Sequence, residues 1–171
     1  TAIVKEANRA GLTLRQPDEA PMKKYGDPVL KTDALDIERH RIRTHQEEDP
    51  EIHPYIVLLG QGMGELREKY GQKTAELTDR HKYDYKMVDG ILARWVNLPG
   101  DGGRLVTVIP GGSTRSISIK GQRRVLTWRA WMLHLAHNTA AGGHVGVDGV
   151  ESKILSVGWW SNLHKDCAAW V

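Results

Sequence analysis

The sequence predicts an α+β chain, mainly α: an N-terminal arm and helices, a small antiparallel β-hairpin, and a C-terminal unit of three helices. Three observations lead there. Val125, Trp128, Met132 and Leu135 fall at i, i+3, i+7 and i+10, one face of a helix, and Val147, Val150, Ile154 and Val157 repeat the spacing. Asp89-Gly90, a strong hairpin turn signal, lies between two apolar runs. Pro17, Pro21 and Pro28 punctuate a start with few periodic apolar positions.

In chain order, residues 1–33 read as an extended arm that needs a partner surface to be ordered. Residues 34–80 read as a helical linker. At its start, residues 33–45 read as a charged helix with Leu35, Ile37 and Ile42 as its large apolar residues, too few for a wide buried stripe. Pro50 interrupts, an apolar segment spans 52–59, and Gly60, Gly62 and Gly64 act as stop and hinge. That glycine cluster lacks the strand and full spacing of a phosphate-cradling loop. Residues 65–80 are expected to continue as one polar helix with Leu66, Tyr70 and Leu77 as its weak apolar stripe.

Residues 81–121 read as a small β-sheet of two or three strands. Tyr85 and Met87 precede the Asp89-Gly90 turn, and Ile91, Leu92, Trp95 and Val96 follow it. The β-branched run from Leu105 to Ile109 closes at Pro110, and residues 113–120 alternate weakly as a further strand. Residues 122–171 form the last unit. Its first helix is expected over 122–137. Gly142 and Gly143 then permit a left-handed turn, and Gly158 stops the second helix. Ser161 or Asn162 is placed to cap a third helix whose apolar face is Leu163, Cys167, Trp170 and Val171.

Composition narrows the classes. The 171 residues are 40% apolar, enough for one ordinary domain or a small domain with arms. No apolar run approaches the roughly 18 residues of a transmembrane helix. One cysteine excludes an internal disulfide framework and suits a reducing compartment, so an intracellular site is expected, with nucleus and organelle both open. The net charge of +3 is unevenly spread. Residues 102–147 hold no Asp or Glu but carry Arg104, Arg115, Lys120, Arg123, Arg124 and Arg129, a candidate phosphate-contacting set. Residues 33–51 hold seven carboxylates against Arg39, Arg41 and Arg43. A solvated face is the plain alternative for the basic stretch.

His137 and His144 flank the Gly-Gly turn, and two imidazoles brought together by a tight turn supply half of a tetrahedral zinc site. The usual other half is a Cys-x-x-Cys pair, which a chain with one cysteine does not hold. His164 and Cys167 offer a substitute pair. Cys167, however, shares a face with Leu163 and Trp170, and an unpaired buried cysteine behaves as a small hydrophobe. The core reading of Cys167 is preferred. Trp159 and Trp160 are read as core before base-stacking platforms. His40, His45, His53 and His81 lack partner spacing and read as surface residues, and Asp84, Asp89 and Asp101 as turn residues.

HNTAAGGHVG, a helix, WW and KDCAAWV together resemble the zinc-binding (HHCC-type) N-terminal region of integrases from Gypsy-type LTR retrotransposons and retroviruses. The pattern runs without a gap from His137 to Val171. The resemblance implies zinc as cofactor, with His137 and His144 as ligands, Gly143 and Gly146 in the turn, Trp160 as a core aromatic and Asp166 on the last helix. Upstream, Thr32-Asp33-Ala34-Leu35 is similar to the close of the ribonuclease H region in such polyproteins. IRTHQEEDPEIHPYIVL is similar to the Gln-x-x-Asp-Pro helix that follows it, and residues 85–110 to the hairpin before the histidines. There are departures: Ser161-Asn162 replaces a usual Pro-Gly, and Val150 a usual Thr. The family's Cys-x-x-Cys would fall just beyond Val171, so 122–171 reads as an incomplete zinc-binding-like domain.

The function expected is a retroelement-derived integrase zinc-binding-like module, non-catalytic as given, for nucleic-acid or protein binding. The alternative is a retroelement-derived fragment recruited as a structural or accessory subunit of a larger complex, an organellar one included. No nucleophile–base pair or carboxylate constellation supports an enzyme, and the acidic catalytic core of an integrase would lie further downstream.

Overall fold

The computed structural model describes residues 39–98, 100, 102–119, 122–138 and 146–171. The expected arm, the start of the charged helix, Asp101, Lys120, Gly142, Gly143 and His144 lie outside the described residues. Among the described residues the fold is α+β and mainly α.

Helix α1 (Arg39–Glu48) buries Ile42 and Gln46, four residues apart and each 0% exposed. It ends where Pro50 forbids continuation. The Asp49 carboxylate closes that turn, accepting from the Glu51 amide and from the Gly111 amide, each at 2.9 Å. Helix α2 (His53–Gln61) has Pro54 in its first turn, where the missing N–H costs nothing, and stops at Gly62 with φ +94°. The polar stretch expected as one helix is two, α3 (Met63–Tyr70) and α4 (Gln72–His81). Gly71 at φ +84° breaks it, a conformation that lets the second helix fold back on the first. Val57, Leu58, Leu66 and Ala75 form the small core these three helices share.

After a 3₁₀ turn (Lys82–Asp84), β1 (Tyr85–Val88) and β2 (Ile91–Leu98) form the expected hairpin. Asp89 at φ +50° and Gly90 at φ +79° make the left-handed turn that matches strand twist. Strand β3 (Gly102–Val108) pairs antiparallel with β2, with Leu105 opposite Trp95. The sheet is larger than expected: β6 (Gly158–Trp159) adds in parallel to β3, giving the order β1-β2-β3-β6. Gly158 therefore does more than stop a helix. A Cβ there would stand 2.8–2.9 Å from Ile109 and Met132 side-chain carbons, so only glycine lets this strand lie so close.

Strands β4 (Ser113–Ile119) and β5 (Gln122–Thr127) form a separate antiparallel ribbon. Here the sequence expectation is corrected: residues 122–127 are strand, and helix α5 begins at Trp128 and runs to Asn138. Cross-strand pairing with β4 overrides the helical spacing, leaving Val125 57% exposed. The buried face of α5 is Trp128, Met132, Leu133 and Ala136. Helices α6 (Val147–Leu155) and α7 (Leu163–Trp170) complete the unit. Asn162 takes the N-cap position of α7 without a side-chain capping bond, and Val171 is 54% exposed rather than part of the apolar face.

One cluster holds Ile42, Ile91, Ile109, Trp128, Met132, Leu133, Val150, Ile154, Trp160, Leu163 and Cys167. It joins α1 and the hairpin to the C-terminal helices. Gln46 supports that junction with polar bonds. Its amide donates to the Leu92 and Val108 carbonyls at 3.0 and 2.7 Å and accepts from the Leu92 amide at 2.8 Å. A buried amide that pairs with three main-chain groups fixes the helix on the sheet.

Candidate metal centre

Helix α5 carries the first expected ligand. Its apolar face is held in the core, so the neighbouring positions fall along the rim. His137 is half-buried near the helix end, and its Nδ1 is buried without a hydrogen-bond partner among the described residues. A buried ring nitrogen left unpaired is costly unless something else takes its lone pair or proton. A metal would do so, and His137 therefore fits that role. His134, one turn earlier and 6% exposed, lies beside the Trp131 ring with centroids 5.7 Å apart. Burial, and then the nearby His137, hold its imidazole below the usual pKa, so the neutral, ligand-competent form is favoured. Sequence reasoning passed over His134. Its spacing of three from His137 was the available signal.

The structure does not bring His164 and Cys167 into one set of donors. Cys167 is 0% exposed within the core cluster, and burial, with the Glu151 and Asp166 carboxylates after it, pushes its thiol up to about 12. His164 faces outward, with its Nδ1 2.6 Å from Glu151 Oε2. That hydrogen bond raises its pKa, Glu151's charge acting second. Asp148 lies in the same group.

Trp160 is fully buried, and its indole N–H donates to Asp166 Oδ2 at 2.8 Å. Trp159 is half-buried, and the Arg94 guanidinium lies 4.1 Å from its ring centroid. Two histidines expected at the surface have structural partners. His45 accepts from Trp128 Nε1 at 3.2 Å, and His53 hydrogen-bonds the Tyr70 hydroxyl.

The basic residues divide. Arg129 is half-buried and donates through Nε and an Nη to the Ile109 carbonyl at 3.1 and 3.0 Å. Its guanidinium also lies 5.7 Å from the Trp160 ring centroid. Arg104 on β3 reaches the Ser156 carbonyl at 3.4 Å. Arg115 lies on β4, opposite Leu126 of β5. Arg123 and Arg124 lie on β5, opposite Ser118 and Ile117, and the Arg123 side chain is exposed.

The C-terminal helices form a unit mounted on a helix-and-sheet support, with the buried Nδ1 of His137, unpaired among the described residues, near the end of the first of them. Residues 127–171 match the family model of the integrase zinc binding domain, which supports an integrase-derived zinc-binding region in that part of the chain. No curated protein and no solved structure matches the chain. No helix among the described residues is long and apolar enough to cross a membrane.

Proposed function

We propose that residues 122–171 work as an integrase-type zinc-binding module serving nucleic-acid or protein binding. The observation that carries the reading is the unpaired, buried Nδ1 of His137 inside the segment that matches the family. His137, with His144, would hold the ion, and bound zinc would supply cross-linking between the ends of short helices rather than a reaction step. Two imidazoles are half of a closed structural set, so the ion would need further donors beside them.

The nucleic-acid part of the proposal rests on the β4–β5 ribbon. It bears Arg115, Arg123 and Arg124, and a two-stranded ribbon has the dimensions to lie along a duplex groove. Arg104 and Arg129 bond main-chain carbonyls and support the fold before any phosphate contact. The test is binding to a DNA duplex at several salt concentrations. Affinity should fall linearly with salt on a logarithmic plot, and Arg123→Ala should reduce the slope by about one. A folded chain with no salt-dependent binding would overturn it.

A second reading is a retroelement-derived fragment recruited as an accessory subunit of a larger complex. It is favoured by a groove of about 390 Å³ lined by Tyr55, Leu77, Tyr85, Trp159 and Trp160. Tyr83 at 84% and Leu77 at 46% exposure add uncovered apolar surface. The same salt series separates the readings, since a subunit of this kind needs no phosphate contacts.

A further inference from the structure

A second group of metal-ligating side chains lies apart from His137. Asp148 and Glu151 are three residues apart on α6 and so share a face, and His164 of α7 comes up against them. One ligand atom from each lies within 4.8 Å of the other two. The scaffold beneath is rigid: Val150 and Ile154 of α6 pack with Leu163 and Cys167 of α7 in the main core. The Glu151 side chain is 23% exposed and already oriented by His164, which is 68% exposed. Two carboxylates and one imidazole thus converge on one point of the surface.

We propose that Asp148, Glu151 and His164 form a second divalent-cation site, for a zinc-class ion, sharing no ligand with the His137 site. Mixed imidazole and carboxylate donors suit zinc, cobalt or nickel, whereas calcium and magnesium take all-oxygen sets. Three protein ligands on an open helix face leave a coordination position for water or for a side chain of a binding partner. The proton on His164 leaves when the ion arrives, so binding weakens as pH falls.

The experiment is a zinc titration of the full chain followed by histidine ring NMR. The His164 resonances should shift with zinc, and in the double variant Asp148→Asn/Glu151→Gln the apparent affinity at His164 should fall by more than about tenfold. The His137 response should be unchanged. His164 resonances that do not move, or that move equally in the double variant, would overturn the proposal by leaving an exposed acid pair at a helix start. His164→Asn, at an exposed position, provides a second variant should the double one fail to fold. It should lose cobalt absorbance assigned to this site. The cobalt adduct of the unsubstituted chain should lack a thiolate charge-transfer band; its presence would put Cys167 in the site instead and contradict the ligand set.

Discussion

The indole N–H of Trp160 donates to the Asp166 carboxylate 2.8 Å away, across one turn of chain between β6 and α7. Both groups are out of water, Trp160 at 0% and Asp166 at 7% exposure. Asp166 also lies in the first turn of α7, where the helix dipole favours a negative charge. A buried indole without an acceptor would lose the hydration it had in the unfolded chain. Asp166→Ala should therefore cost about 1–3 kcal/mol in urea unfolding, whereas Asp166→Asn, which keeps an acceptor oxygen, should cost less. Equal losses would mean that charge, rather than the indole bond, sets the effect.

Gln46 is the polar pin between α1 and the sheet. Gln46→Leu fits the volume but orphans the Leu92 amide and two carbonyls, at about 1–3 kcal/mol for each buried group left unpaired. The expected result is a loss of at least about 3 kcal/mol, with amide exchange at Leu92 accelerated more than at Val106 in the same sheet. Uniform acceleration would show a global effect without the local bond.

Gly158→Ala should destabilise by about 1–3 kcal/mol through overpacking, because the new methyl meets Ile109 and Met132. Met132→Ala removes a buried side chain and is itself destabilising, but in that background the added cost of Gly158→Ala should be smaller, because one of the two contacts is gone. An undiminished cost would place the strain at Ile109 instead.

Cys167 should resist alkylation. The thiolate is the nucleophile, and a thiol pushed up to about 12 stays protonated throughout the neutral range. A free cysteine titrates near 8.5, so unfolding in urea at pH 8.5 should speed labelling by orders of magnitude. Rapid labelling of the folded chain at that pH would contradict the buried placement.

These elements differ in how far the sequence announces them. The Asp89-Gly90 hairpin is legible because its turn chemistry is local. Trp160 and Asp166 are legible as a core aromatic and a last-helix position through family resemblance, but their hydrogen bond is visible only in the fold. Residues 122–127 mislead because Val125 and Trp128 share helical spacing, while pairing of β5 with β4 decides the structure. The parallel addition of β6 is similarly non-local: nothing near Gly158 indicates that Thr107 will be its partner. His137 is legible from spacing. That its Nδ1 is buried without a partner is not, since burial is set by neighbours along the whole chain.

The proposed module takes zinc at His137. The most direct measurement is the His137 ring signal of the full chain, by NMR, as zinc is added and then chelated. The His137 resonances should shift on addition and return on chelation. His137→Ala should abolish the corresponding zinc equivalent while the Trp160 indole N–H resonance stays in place. A His137 ring that ignores saturating zinc in a folded chain would contradict it.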